Sequence, residues 1–148
     1  MASSRLAKAL FEPKNIALIG ASDDKGRNNS RPQQFLEKHG YRGKIYPINP
    51  RRKKVYGVKA YQSVTEVPDR IDHAFIMTGP KAVPAVMRDC AQAKVKVATI
   101  FTADFAESGT DGAKLQAEVV QEAKKGNVRV IGPNCMGIYC MDPPAMIS

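Results

Sequence analysis

The residues Asn15-Ile-Ala-Leu-Ile-Gly-Ala-Ser-Asp-Asp-Lys-Gly26 place a polar, glycine-containing loop directly after a short apolar run. Phosphate binding is the chemistry such a loop serves. Where a strand, a glycine turn and a helix follow one another, backbone N–H groups and the positive helix end meet an anion. Gly20, Ala21, Ser22 and Lys25 are the loop residues expected to face it. Gly20 and Gly26 are six positions apart and position 22 is Ser, so the spacing departs from the dinucleotide fingerprint G-x-G-x-x-G. The missing glycine counts against NADP, because close approach of a pyrophosphate needs it.

A second anion-seeking group is Asn49-Pro-Arg-Arg-Lys-Lys54, and no carboxylate occurs between Lys44 and Gln62. Sites for NAD place an acidic side chain at the end of the second strand, to hold the ribose hydroxyls. Cations there suit a ribose that bears its own phosphate, at the 2′ position in NADP or the 3′ position in coenzyme A. The residues alone leave both open. Other chemistries lack their parts. Cys90, Cys135 and Cys140 have neither a paired framework nor metal-ligand spacing. No histidine follows Cys135, so it has no evident base and reads as a structural thiol. His39 closes a helix and His73 opens a strand, as structural or surface residues do. Asp23, Asp24 and Asp104 read as solvated loop carboxylates. Neither a catalytic residue nor a metal site is expected.

These residues need a scaffold, and the periodicity supplies one. Ser3 or Ser4 caps a short helix holding Leu6, Leu10 and Phe11, which ends before Pro13. The continuous apolar run Ile16–Ile19 reads as a buried parallel strand, and Lys44–Ile48, His73–Met77, Val95–Phe101 and Val128–Ile131 read as further strands. Between them stand a helix from Pro32 to His39, with Phe35 and Leu36 toward the core, and one starting near Lys81 with Val83, Val86, Met87 and Cys90 at helical spacing. A third, from Thr110 to Lys125, carries Leu115, Val119, Val120 and Ala123. Val55–Tyr61 reads as a loop or short strand, and Ser63-Val-Thr-Glu66 has capping-box spacing. Ile138–Cys140 reads as a sixth strand, and 141–148 as an exit segment, whether a tail or the start of a linker.

Alternating strands and helices with short connections predict one α/β domain over residues 1–148, a doubly wound parallel sheet of Rossmann-like type. Ligands of such sheets bind beyond the carboxyl ends of the strands. Those ends gather Gly20, Ala21, Ser22 and Asp23; Asn49, Pro50, Arg51, Arg52 and Lys53; Thr78, Gly79 and Pro80; Thr102 to Phe105; and Gly132-Pro-Asn-Cys-Met-Gly137. The chain has 148 residues, 43% of them apolar, enough to bury a core. No run is long enough to cross a bilayer and the first residues lack a secretory pattern, so no membrane partner and a reducing, cytoplasmic setting are expected. The net charge of +9 favours anionic partners. Nucleic acid is not expected, since there is no Trp and few Tyr or Phe read as exposed stacking platforms.

Four motifs together resemble the CoA-binding domain of nucleoside-diphosphate-forming acyl-CoA synthetases, which include ADP-forming acetyl-CoA synthetase and the alpha subunit of succinyl-CoA synthetase. They are Leu10-Phe-Glu-Pro-Lys-Asn-Ile-Ala-Leu-Ile-Gly-Ala-Ser22, Gly43-Lys-Ile-Tyr-Pro-Ile-Asn-Pro50, Phe105-Ala-Glu107 and Gly132-Pro-Asn-Cys-Met-Gly137. The resemblance runs from about Leu10 to Tyr139. It implies a Rossmann-type fold that binds coenzyme A. Ser22 and the Gly20-Ala21 backbone would contact CoA phosphate, and Asn49, Pro50 and the cations after them would surround the adenosine end. Thr78, Gly79 and Pro80 would flank the pantetheine. Asn134 and Cys135, within the Gly132–Gly137 loop, would lie near the thiol.

In the family a histidine of a following domain carries a phosphoryl group. Neither His39 nor His73 matches it, so the resemblance implies CoA binding without complete catalysis. The chain would then be a fragment of a ligase, a subunit working with further domains or subunits, or a stand-alone CoA-sensing module. An NADP-binding reductase domain is the more distant alternative. Two positions depart from the family. Asn29 stands where many members have a second loop glycine, and Asn tolerates left-handed backbone. Asp104 stands where glycine is common, and its carboxylate would repel an anionic ligand unless it turns away or pairs.

Overall fold

The computed structural model describes residues 4–141 and 144–147. In chain order the elements are α1 (Arg5–Phe11), β1 (Asn15–Ile19), α2 (Arg31–Lys38), β2 (Lys44–Ile48), β3 (Lys54–Val55), β4 (Val58–Lys59) and β5 (His73–Ile76). They continue with α3 (Val83–Gln92), β6 (Val97–Ile100), α4 (Thr110–Lys125), β7 (Arg129–Ile131), β8 (Ile138–Met141) and β9 (Pro144–Ile147).

The apolar runs become strands because both of their faces are covered. β1, β2, β5, β6 and β7 form one sheet in the order β2-β1-β5-β6-β7, parallel throughout. Alternate side chains go to opposite faces. Ala17, Ile19, Ala74, Ile76, Ala98 and Ile100 meet Val83, Met87 and Cys90 of α3 and Val119 and Ala123 of α4. On the other face Ile16, Leu18 and Phe75 meet Leu36 of α2. The chain adds β2 on one side of β1 and then β5, β6 and β7 on the other. The reversal lies between β1 and β5, and doubly wound sheets open their ligand crevice at such a point.

Local signals set the helix ends. Ser4 caps α1, its Oγ accepting from the Ala7 N–H at 3.2 Å; Ser3 lies outside the described residues. Pro32 and Pro84 sit in the first turns of α2 and α3, where a missing N–H leaves no bond unmade. α3 is preceded by a 3-10 turn over Pro80–Ala82. The capping-box spacing at Ser63 gives a second such turn, with Ser63 Oγ accepting from the Thr65 N–H and Glu66 from the Gln62 N–H.

Some expectations need correction. Leu36 is buried, but Phe35 is only half-buried and stacks at an angle on His39, ring centroids 6.3 Å apart. Val120 lies on the outer side of α4, 41% exposed. Phe11 and Tyr139 are exposed as well. Val95 is a helix-exit residue, its N–H donating to Cys90 O, so β6 is shorter than the apolar run. Ile138–Met141 is a strand but not part of the sheet. It pairs antiparallel with Pro144–Ile147, so most of the expected exit segment is the second arm of a hairpin, with β8 beside α1 and β9 beside α2.

At the amino edge of the sheet Asp72 is the anchor. Its Oδ2 accepts from the Lys14 N–H at 2.8 Å and the Asn15 N–H at 3.2 Å, and its Oδ1 pairs with Lys96. Burial pushes its carboxyl up, but Lys96 and the two amides outweigh it and the net shift is downward. The adjacent His73 is fully buried, with Nε2 2.7 Å from Thr99 Oγ1. Among the described residues no helix is long and apolar enough to cross a membrane.

Candidate functional site

The carboxyl edge collects the anion-seeking residues from separate parts of the chain. Gly20 ends β1 with φ +89°, and a Cβ there would stand 3.1 Å from the Met77 carbonyl carbon and 3.3 Å from Thr78 Cγ2. Only a glycine lets the β1 loop turn so close to the end of β5. The loop is bonded both to the end of β2 and to itself. The Gly20 N–H donates to Ile48 O at 2.9 Å, the Ala21 N–H to Leu18 O at 3.4 Å and the Ser22 N–H to Asn29 O at 3.3 Å. Ser22 is buried, and its Oγ accepts from the Asp24 N–H at 3.1 Å. The inner amides of the turn are therefore committed to the fold, and charge for an anion here comes from side chains. Lys25 is exposed on the loop.

The turn after β2 is tied to this loop. Asn49 Nδ2 donates to Ala21 O at 2.9 Å, while its Oδ1 accepts from the Arg51 N–H at 2.9 Å. Pro50 is exposed and the chain turns there. Arg52 reaches across to Asp23, Nη1 to Oδ1. Lys25, Arg51 and Lys53 are exposed and make no ion pair among the described residues. Their charge is free for a ligand.

Across the crevice Thr78, Gly79 and Pro80 lead from β5 into the turn before α3. A Cβ on Gly79 would meet nothing within 4 Å, so this stretch borders open space. The ends of β5, β6 and β7 are linked. Thr102 Oγ1 donates to Thr78 O at 2.7 Å, and the Asn134 N–H donates to Thr102 O at 3.0 Å. The Cys135 N–H reaches Ile100 O at 3.1 Å. Cys135 is half-buried, and its Sγ lies 3.7 Å from Gly137 O. Gly132 makes the approach possible, since a Cβ there would be 2.6 Å from Ile100 O. Cys90, by contrast, is buried in the core, where burial and then Asp89 push its thiol up to about 12.

Both departures from the family pattern find a structural answer. Asn29 lies in a 3-10 turn over Asn28–Ser30 and is not among the residues of positive φ. Its tolerance of left-handed backbone is unused. Instead its Nδ2 donates to Gly20 O at 2.7 Å, so Asn29 braces the turn from both its side chain and its carbonyl. Asp104 has φ +71°, which explains why glycine suits the position. Its N–H donates to Glu107 at 3.0 Å and its Oδ1 accepts from Ser108 at 3.3 Å, keeping the carboxylate within its own loop. Glu107 is held below the usual carboxylate range by its own N–H and those of Phe105 and Asp104, against a smaller opposing effect of burial.

All five expected segments thus stand along one rim. Asn29, Thr102 and the Asp23–Arg52 pair complete it. Asn29 was not expected to brace the turn, and Asp23, expected at this rim as a solvated carboxylate, instead pairs with Arg52. A signal existed for the pair, since Asp23 lies in the loop beside the cationic turn in any doubly wound sheet.

Comparisons with known proteins identify the family. A family profile described as CoA binding domain matches residues 14–141. Acetate–CoA ligase (ADP-forming) II of Archaeoglobus fulgidus is 41% identical over 129 residues, which is 87% of this chain and 19% of that protein. The alpha subunit of acetate–CoA ligase (ADP-forming) I from Pyrococcus furiosus is 39% identical over 135 residues, 88% of this chain and 29% of the subunit. The apo form of dinucleotide-forming acetyl-coenzyme A synthetase 1 from Ca. Korarchaeum cryptofilum superimposes with a TM-score of 0.88 at 36% identity, over 96% of this chain and 31% of that one. The chain therefore spans between about a fifth and a third of the length of these relatives. The residues present fit coenzyme A: unpaired cations at the β2 end, a turn at β1 that only glycine permits, and an open border at Gly79. The chain belongs to the family of CoA-binding domains found in ADP-forming acyl-CoA synthetases.

Proposed function

We propose that this domain serves an ADP-forming acid–CoA ligase by holding CoA lengthwise along the carboxyl rim. The adenosine end, with its 3′-phosphate, lies by Asn49, Pro50, Arg51, Arg52 and Lys53. The pyrophosphate lies over Gly20, Ala21, Ser22 and Lys25, the pantetheine along Thr78, Gly79 and Pro80, and the thiol end by Asn134 and Cys135. The observation that carries this reading is the order of the strands. Across the rim the cations come first, then the glycine loop, then Gly79, then the Gly132 loop, in the order of the chemical groups along CoA. Four strand spacings cover about 19 Å, the reach of an extended cofactor.

The chain's residues bind and orient here, and none transfers a group. His73 is sealed in the core and Cys90 is protonated at neutral pH. In the complete ligase the phosphoryl-transfer histidine belongs to another domain or subunit, and this chain alone binds CoA without turnover.

Calorimetry with CoA and dephospho-CoA tests the assignment. One charge-assisted phosphate contact predicts about tenfold weaker binding of the dephospho form. Arg51→Ala combined with Lys53→Ala should erase most of that difference while leaving dephospho-CoA affinity little changed. Equal affinity for the two ligands would remove the role given to Arg51, Arg52 and Lys53. Acyl-CoA formation by the chain alone, from acid, CoA and ATP, would refute the division of labour.

A further inference from the structure

The opposite edge of the sheet carries a second concentration of positive charge. A cleft of about 780 Å³ at the amino ends of the strands is lined by Arg5, Arg70, Lys94, Lys96, Lys125 and Arg129, with Leu6, Ala91 and Val95 among the rest. No carboxylate lines it. Lys96 and Lys125 are matched by Asp72 and Glu122. Arg5, Arg70, Lys94 and Arg129 are exposed and make no ion pair among the described residues. The carbonyl ends of α3 and α4 account for a cation such as Lys94. They do not account for three arginines arriving from α1, the segment before β5 and β7.

A second cleft, of about 370 Å³, adjoins the first, sharing Leu6 and Arg129 with it. It is largely apolar, lined by Leu10, Val97, Val120 and Val130 together with the cation Lys124, and again holds no carboxylate. Its floor is the open edge of the sheet. β7 is the last strand in the order and pairs with β6. The Arg129 N–H donates to Lys96 O, so alternation along a parallel strand turns the N–H and C=O of Val130 outward. The groove therefore offers an outward-turned backbone edge and an apolar cleft, and it adjoins four cations that make no ion pair among the described residues.

We propose that this groove docks an extended acidic polypeptide segment, which adds beside β7. Its apolar side chains enter the Leu10–Val120–Val130 cleft and its carboxylates meet Arg5, Arg70, Lys94 and Arg129. Addition to an exposed edge supplies main-chain bonds, and alternate side chains supply selectivity. Nucleic acid is a poorer fit because neither cleft has an aromatic side chain on which a base stacks. The site is independent of the coenzyme rim at the other end of the strands.

The test is a titration with a short peptide alternating Glu and Val, beside its Lys/Val counterpart and a single-stranded oligonucleotide. Amide exchange is followed at Val130. The acidic peptide should bind saturably, weaken with salt, and slow exchange at Val130. Arg129→Glu and Arg70→Glu should each weaken it about fivefold, the upper range for an exposed ion pair. Val130→Pro, which removes the outward N–H at an edge position that tolerates proline, should abolish it with the circular dichroism spectrum unchanged. No saturable binding, equal binding of the Lys/Val peptide, tighter binding of the oligonucleotide, or binding that leaves Val130 unprotected in the wild-type chain would each overturn the proposal.

Discussion

Asn29 is a small side chain with two tasks. Its amide holds Gly20 O and its carbonyl takes the Ser22 N–H, so the turn over the crevice is braced from outside rather than by a further glycine. Its Oδ1 is buried and has no hydrogen-bond partner among the described residues. Asn29→Ala removes one part-buried hydrogen bond along with that unsatisfied oxygen. It should cost only about 1 kcal/mol in urea unfolding, while weakening CoA more than this loss of stability explains, because the turn loses its position. Asn29→Asp should be worse in both measurements, since a carboxylate would face the Gly20 carbonyl. An alanine variant with wild-type CoA affinity would show that the brace is not needed for binding. Asp23 and Arg52 illustrate the same principle with charge: an exposed pair of this kind stabilises little, but it holds a guanidinium at the rim.

Among the elements, the β5–β6 pairing carries a pH dependence. Burial holds the His73 imidazole down to about 4 from its ordinary 6.5, against a smaller upward pull from Asp72. In the folded chain the ring stays neutral through that window, whereas in the unfolded chain it takes up a proton. Unfolding therefore binds a proton between about pH 6.5 and pH 4, and stability falls as pH drops through that range, by up to about 1.4 kcal/mol per pH unit. His73→Gln, which keeps a partner for Thr99, should flatten the profile; urea midpoints across the range for both chains are the check. The start of α4 is equally exacting. A Cβ on Gly112 would lie 1.8 Å from Phe105 O, backbone that cannot swing aside. Gly112→Ala should destabilise by about 1–3 kcal/mol through overpacking, with the loss visible as a lower thermal midpoint.

For the whole molecule, charge is divided between the two edges of the sheet. The carboxyl edge holds Lys25, Arg51 and Lys53, and the amino edge holds Arg5, Arg70, Lys94 and Arg129. Part of the formal charge of +9 thus stands as two separate groups of exposed cations. Binding of CoA to the folded chain alone should stabilise it by about 2.7 kcal/mol at a hundred times the Kd. For a domain of this size that corresponds to a rise of roughly 5–10 °C in Tm. The rise should shrink as salt is added, because the contacts at the rim are exposed and screened. A shift that is insensitive to salt would place the binding energy in uncharged contacts instead.

The core strands and the four α-helices were legible in the sequence because their signals are local and periodic. Ile16–Ile19 is apolar without a break, Thr110–Lys125 repeats at helical spacing between stops, and a doubly wound order then places every site segment at one edge. The same logic pointed to Gly20, Asn49, Arg52 and the Gly132–Gly137 loop. Tertiary structure decided how the groups within that edge are used. The amides of Gly20, Ala21 and Ser22 are bonded to Ile48, Leu18 and Asn29, and Arg52 is held by Asp23. Ile138–Met141 joins a hairpin rather than the sheet. Each of these outcomes depends on which of several partners lies nearest after packing, and a linear pattern does not contain that distance.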